Sequence, residues 1–269
     1  MKIALIGYGK MGRMIESVSV ERGHEVVCII DKQPYSAEQM SDAGCRLYTP
    51  EEGFKSAAFH SADVAIEFSR PDAARANVRE AVKQGVAVVS GTTGWDVEGL
   101  KAELMAENNC PGVMWSSNYS IGVNVLFAVN TYLARLLHTV GGERYAPSIT
   151  EIHHVHKLDA PSGTAKTLAE EIMAVGSEQP KGKESREFAD TNNVVANNEE
   201  KPYCPIHSIR EGEVPGIHEV RWESGEDILS IRHEAKSRRG FALGAVIAAE
   251  WLQGKRGWHA LEEAMRIDN

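Results

Sequence analysis

The sequence predicts an α/β protein: an N-terminal doubly wound parallel sheet, then a smaller, sheet-rich α+β domain. Three observations predict it. Short apolar runs alternate with helical stretches from residue 2 to about residue 115. The first run feeds a glycine turn, and an acidic residue closes the second. Beyond Gly141-Gly142 the rhythm changes, and strand-like runs dominate as far as His233.

Lys2 to Ile6 is an apolar strand pattern that runs directly into Gly7-Tyr8-Gly9-Lys10-Met11-Gly12. Met11, Met14, Ile15 and Val18 then recur at helical spacing. Glu25 to Ile30 is a second apolar run ending at Asp31, 19 positions after Gly12. Strand, glycine turn, helix, strand and acid in that order form the dinucleotide-binding pattern of a Rossmann domain. Gly7 permits the turn, Gly9 lets backbone approach a pyrophosphate, and Gly12 lets the helix pack on the strand. The N–H groups of the helix start face the phosphates. Asp31 can accept from the adenine ribose hydroxyls, which favours NAD. The adjacent Lys32 could instead pair with a 2′-phosphate, so both NADH and NADPH stay open.

The alternation continues. Asp63 to Phe68 reads as a strand, then Ser69-Arg70-Pro71 and a helix to about Gln84. Val86 to Val89 is a buried strand ending at Ser90-Gly91-Thr92-Thr93-Gly94, and a helix spans about Val97 to Glu107. Val113 to Trp115 is a strand ending at Ser116-Ser117-Asn118-Tyr119. Ligands of open parallel sheets bind at the carboxyl ends of strands. The loops at Phe68, at Gly91, Thr92 and Thr93, and at Ser117, Asn118 and Tyr119 are therefore candidate cofactor contacts. Such loops favour Gly, Ser and Thr as plain turns too.

Val123 to Leu137 is a strongly apolar helical pattern. Strand-like runs follow at Ile149–Val155, Ile206–Ile209, Ile217–Trp222 and Ile228–His233. Residues 177–204 are polar and read as a long exposed excursion. Ala242 to Trp251 is helical again. The expected division is a dinucleotide-binding domain at 1–120, completed by C-terminal helices within 239–269. A substrate-binding and oligomerisation domain spans 121–238.

A net charge of −9 argues against nucleic acid as the main partner, because phosphate binding needs a basic surface. The four cysteines, Cys28, Cys45, Cys110 and Cys204, lie far apart without a CxxC pair. That fits neither a disulfide framework nor a zinc site, and suggests a reduced, cytoplasmic setting. The chain opens on Met1-Lys2 and passes straight into a strand pattern. No signal peptide is expected, nor an apolar run long enough to span a membrane.

The densest chemistry lies in Glu151-Ile152-His153-His154-Val155-His156-Lys157-Leu158-Asp159-Ala160-Pro161-Ser162-Gly163-Thr164-Ala165. Three imidazoles and an ammonium precede a turn, and Ser162 or Thr164 should cap the helix that follows. The free N–H groups of that helix start suit a carboxylate, and histidine is a side chain whose protonation is adjustable near neutral pH. Together they predict a cationic pocket floor beside a proton donor, for a small, multiply anionic substrate. Metal is not expected: no thiol or HExxH joins the histidines, and strand alternation sends His153 and His154 to opposite faces. Ser162 lacks the elbow of an acyl-transfer nucleophile. Packed structural histidines are the bland alternative. Lys236-Ser237-Arg238-Arg239 forms a second cationic cluster, most simply a solvated charge run.

At this point the residues resemble a known family. The Glu151–Ala165 run is similar to the signature of the 4-hydroxy-tetrahydrodipicolinate reductases, formerly dihydrodipicolinate reductases, of lysine and diaminopimelate synthesis. Gly7–Gly12, Phe68-Ser69-Arg70-Pro71, Gly91–Gly94, Ser117–Asn124 and Ser237–Ala245 resemble further family segments, so the likeness covers essentially the whole chain. It implies NADH- or NADPH-dependent reduction of a cyclic imine bearing two carboxylates. It implies that His153 is the acid/base and Lys157 the proton donor, with His154, Gly163 and Thr164 contacting substrate. Asp31 and Lys32 fall where the family reads the cofactor ribose, with lysine where some members have arginine. A homotetramer built through the second domain's sheet is also implied. His156 has no assigned role. Two other readings compete: another Rossmann oxidoreductase for an amino or keto dicarboxylate, and a non-catalytic NAD(P) sensor.

Overall fold

A computed structural model describes residues 1–32, 41–107, 109–141, 144–177 and 204–265. Most of the polar 177–204 excursion lies outside the described residues. The chain divides into two compact units, Met1–Ile121 joined by the segment from Arg238 onward, and Gly122–Ser237.

The first unit opens with β1 (Lys2–Ile6), α1 (Lys10–Glu21), β2 (Glu25–Ile30) and β3 (Leu47–Tyr48). It continues through α2 (Pro50–Gly53), α3 (Ala57–His60), β4 (Val64–Glu67) and α4 (Pro71–Lys83). Then come β5 (Ala87–Ser90), α5 (Val97–Met105) and β6 (Val113–Trp115). The second unit holds α6 (Ile121–Gly141), β7 (Ala146–His153), α7 (Gly163–Ser177), β8 (Ile206–Arg210), β9 (Ile217–Glu223) and β10 (Ile228–Glu234). The chain then returns to the first unit as α8 (Arg239–Leu252), β11 (Trp258–His259) and α9 (Leu261–Met265).

The first sheet has the order β11-β6-β5-β4-β1-β2-β3, with every pairing parallel. Its strands are nearly continuous in apolar residues because helices cover both faces. On one face Ile3, Leu5, Ile29, Ile66 and Val89 pack with Ile15 and Val18 of α1 and Ala245, Val246 and Ala249 of α8. On the other, Ala4, Ile6, Cys28, Ala65 and Val88 pack with Phe59, Val78, Ala81 and Leu100. Each large aliphatic side chain taken fully out of water contributes roughly 1.5–3 kcal/mol. Strand order reverses between β1 and β4, the switch point where open sheets bind ligands. The four cysteines are free and buried.

The second sheet is mixed, in the order β10-β9-β7-β8, with β8 parallel to β7 and the other pairs antiparallel. β7 is longer at its start than the apolar pattern predicts, because Ala146 and Pro147 pair with Glu223 and Trp222 of β9. Its core joins Ile149, Ile206, Val220 and Trp222 to Leu126 and Ala134 of α6 and Ala165, Leu168 and Ala169 of α7. The structure corrects one expectation. With 21 residues and a mean hydropathy of 1.2, α6 is long and apolar enough to cross a membrane by length and composition. Here Leu126, Ala134 and Leu137 pack into the unit's core. Asn130 donates from Nδ2 to the Leu168 carbonyl at 3.0 Å and to Glu171 Oε2 at 2.9 Å.

Candidate active site

The glycine turn connects β1 to α1 at the switch point. Gly7 has φ of +93°, and a side chain there would strike the Phe68 carbonyl at 2.2 Å. A side chain on Gly12 would strike the Gly7 carbonyl at the same distance, so both glycines are required by close packing. A side chain on Gly9 would meet nothing within 4 Å, which leaves open space beside the turn. Lys10 and Met11 begin α1, whose first turn carries no acidic residue to oppose a phosphate. At the end of β2, Asp31 accepts the Tyr8 N–H at 2.7 Å and the Lys32 N–H at 2.6 Å. The carboxylate is thus fixed beside the turn, while the Lys32 side chain is exposed. These features fit the phosphates and ribose of a dinucleotide.

Tyr8 contributes its backbone to this site, because its side chain is turned inward. Its hydroxyl donates to buried Glu16, and Arg13 stacks 4.5 Å over its ring. Burial first, and the Glu16 hydrogen bond second, push the Tyr8 pKa up to about 12.

The remaining candidate loops are held by a residue the sequence pattern did not single out. Glu67, the last residue of β4, is fully buried. It accepts the Ser69 N–H at 3.0 Å, the Ser69 hydroxyl, the Ser90 hydroxyl at 2.7 Å and the Thr92 hydroxyl at 2.9 Å. The Thr92 carbonyl accepts from the indoles of Trp95 and Trp115 at 2.7 and 2.8 Å. Tyr119 is also buried, donating to the Ser90 carbonyl at 2.9 Å and packing 5.8 Å from the Phe68 ring. Gly91 lies against that same ring. Phe68, Gly91, Thr92 and Tyr119 therefore form one assembly, with Thr93 and Ser117 exposed beside it. Asn118 accepts the Ser120 N–H at 2.9 Å.

In the second unit, alternation along β7 buries Ile149, Glu151 and His153 together. His154, just past the strand, is only partly buried. Glu151 is fully buried, and His153 Nδ1 lies 2.7 Å from its Oε2. Its Oε1 accepts the Ser162 N–H at 3.1 Å and the Arg210 guanidinium at 3.0 Å. Burial alone would push the Glu151 carboxyl up. Contacts from His153, Ser162, Ser208 and Arg210 overcome this and hold it well below the usual carboxylate range.

Ser162 is the cap of α7: its Oγ accepts the Ala165 N–H at 3.3 Å, three residues on as the motif requires. Gly163 and Thr164 form the first turn above it, Gly163 exposed and Thr164 partly buried. Lys157 lies in the loop between β7 and α7, its Nζ 2.7 Å from Asp159 Oδ1. His156 makes an exposed pair with Glu213 at 3.2 Å.

Arg210 and His218 complete the site, and local sequence gave no signal for either. Arg210 of β8 pairs in register with His153. His218 of β9 lies opposite Glu151, 3.2 Å from Ser162 Oγ and 5.0 Å ring to ring from His153. Burial, with repulsion from His153, lowers the His218 pKa from the usual 6.5 to about 3, so this ring is neutral at physiological pH. Donor atoms of Glu151, His153 and His218 fall within 4.8 Å of one another, a span a metal ion could bridge. The Arg210 guanidinium on the same carboxylate opposes a second cation there. The site can hold an anion at the α7 start and present histidine and lysine protons beside it.

Comparison with known proteins follows the same two halves. Residues 1–119 match the family model described as dihydrodipicolinate reductase, N-terminus, and residues 122–265 match dihydrodipicolinate reductase, C-terminus. A 4-hydroxy-tetrahydrodipicolinate reductase of Christiangramia forsetii is 40% identical over 98% of each chain. One of Natronomonas pharaonis is 33% identical over 98% of this chain and 100% of its own. Among solved structures, a dihydrodipicolinate reductase of Paenisporosarcina sp. TG-14 with dipicolinate bound has the same fold. Its TM-score is 0.72 at 21% identity, over 98% of both chains.

Proposed function

The chain belongs to the dihydrodipicolinate reductase family, and we propose on that premise how its residues divide the reaction. That reaction is the reduction of 4-hydroxy-tetrahydrodipicolinate to tetrahydrodipicolinate with loss of water, in lysine and diaminopimelate biosynthesis. Bound NADH or NADPH supplies the hydride. The first unit binds the cofactor through Gly7, Tyr8 by its backbone, Gly9, Lys10, Met11 and Gly12. Asp31 takes the ribose hydroxyls, and the loops of Phe68, Gly91, Thr92, Thr93, Ser117, Asn118 and Tyr119 form the nicotinamide end. The fixed carboxylate of Asp31 supports NADH, and exposed Lys32 supports NADPH as well.

The second unit binds the substrate. Gly163 and Thr164 at the α7 start, with His154, take its carboxylates. His153 serves as acid/base and Lys157 as proton donor. The observation that carries this reading is the buried Glu151–His153 contact beside a capped helix start. No metal takes part: the Glu151 carboxylate is already committed to Arg210, Ser162 and His153. The enzyme works in the cytoplasm as a homotetramer joined through the second sheet, whose Ile209, Ile228 and Leu229 are exposed in one chain.

The test is oxidation of NADH and of NADPH, followed by absorbance, with freshly generated 4-hydroxy-tetrahydrodipicolinate. Turnover with at least one cofactor is expected, and turnover only with amino-acid substrates would contradict the reading. A solution mass of one chain would contradict the tetramer.

A further inference from the structure

Glu151 reaches each part of the substrate site by a separate contact. Through Oε2 it faces Nδ1 of His153 at 2.7 Å, a close charge contact without the alignment of a hydrogen bond. Through Oε1 it accepts the Ser162 N–H, which fixes the residue capping the Gly163-Thr164 turn. The same oxygen accepts from Arg210, whose guanidinium also donates to the Asp159 carbonyl at 2.5 Å and the Lys157 carbonyl at 3.4 Å. One carboxylate therefore anchors the histidine ring, the loop carrying Lys157 and the helix start.

We infer that Glu151 is the positioning residue of the reaction. Its negative charge beside Nδ1 favours the proton there and leaves Nε2 as the atom that exchanges a proton with substrate. Gly216 keeps that side open, because a side chain there would come within 3.1 Å of Nε2. A buried acceptor that fixes a histidine's tautomer and orientation is the general device for a working imidazole. Arg210 makes the carboxylate tolerable in a buried place and ties its position to the Lys157 loop.

The inference rests on the proposed role of His153, and the two can fail separately. Glu151→Gln keeps the volume and an oxygen for Ser162 and Arg210, but can turn an amide N–H toward Nδ1. Turnover is expected to fall about 10²-fold, with KM for substrate within about threefold and NADH affinity unchanged. Glu151→Asp keeps the charge and should recover part of the loss, settling about tenfold below wild type. If the glutamine variant does not fold, the aspartate variant carries the test. Wild-type kcat in the folded variants, or a loss confined to KM, overturns the inference provided His153→Ala is impaired. Wild-type turnover in His153→Ala overturns the underlying assignment instead.

Discussion

Glu67 and Glu151 are both fully buried carboxylates near strand ends, yet they are stabilised by different partners. The hydrogen bonds to Glu67 come from one backbone amide and three hydroxyls, all uncharged. Glu151 has a guanidinium, an imidazole and a backbone amide. Hydroxyls are good at shaping loops, since each rotates to suit its acceptor. A guanidinium and an imidazole also set local charge and proton position. The first carboxylate builds a platform at the end of a sheet, whereas the second gathers charged and polar side chains of the candidate active site.

Stability should separate the two carboxylates most strongly. Glu151→Ala leaves the Arg210 guanidinium without its carboxylate partner in a partly buried place, and should cost about 3–5 kcal/mol. Glu67→Ala strands only hydroxyls and one amide, and should cost about 1–3 kcal/mol. Urea unfolding of both variants checks the order, and an equal or greater loss in Glu67→Ala would break the comparison.

Acid should act on the second carboxylate's neighbourhood. The folded pKa of His218 is about 3 against the usual 6.5, so below 6.5 the unfolded chain takes up a proton that the folded chain refuses. Stability is therefore complete above about pH 6.5 and is lost as pH falls toward 3, by up to about 1.4 kcal/mol per unit. Glu151 adds a further loss below its ordinary carboxylate range, because its folded pKa is depressed. In denaturation series at stepped pH, His218→Asn should flatten the upper part of this slope, and an unchanged slope would remove His218 from the account.

A smaller effect sharpens the division between the units. Asp31→Ala removes the proposed ribose acceptor, worth about 1.4 kcal/mol or more for a charge-assisted pair. KM for NADH should rise about tenfold with kcat nearly unchanged. A fall in kcat at constant KM would move Asp31 out of the cofactor site.

What was legible in the sequence was local. The strand, Gly7–Gly12 turn, α1 and Asp31 lie within one short stretch, so spacing alone orders them. The Glu151–Ala165 run announced itself by chemical density, and Ser162 by its place before a helix. Glu67 stayed hidden because both faces of a parallel strand are buried, so no alternation marks a polar residue facing inward. β3 and β11 have two residues each, too few for any periodicity. Arg210 is 59 positions from Glu151, and His218 is 56 from Ser162. Only the pairing of β8 and β9 with β7 brings them together. The proximity of the Glu151 carboxylate to the His153 ring, 2.7 Å apart, is visible only in the fold.

The proposed acid/base role of His153 stands or falls on the kcat of His153→Ala with 4-hydroxy-tetrahydrodipicolinate. Turnover should fall about 10²–10⁴-fold, with NADH affinity as in wild type. Turnover within twofold of wild type would remove that role from His153.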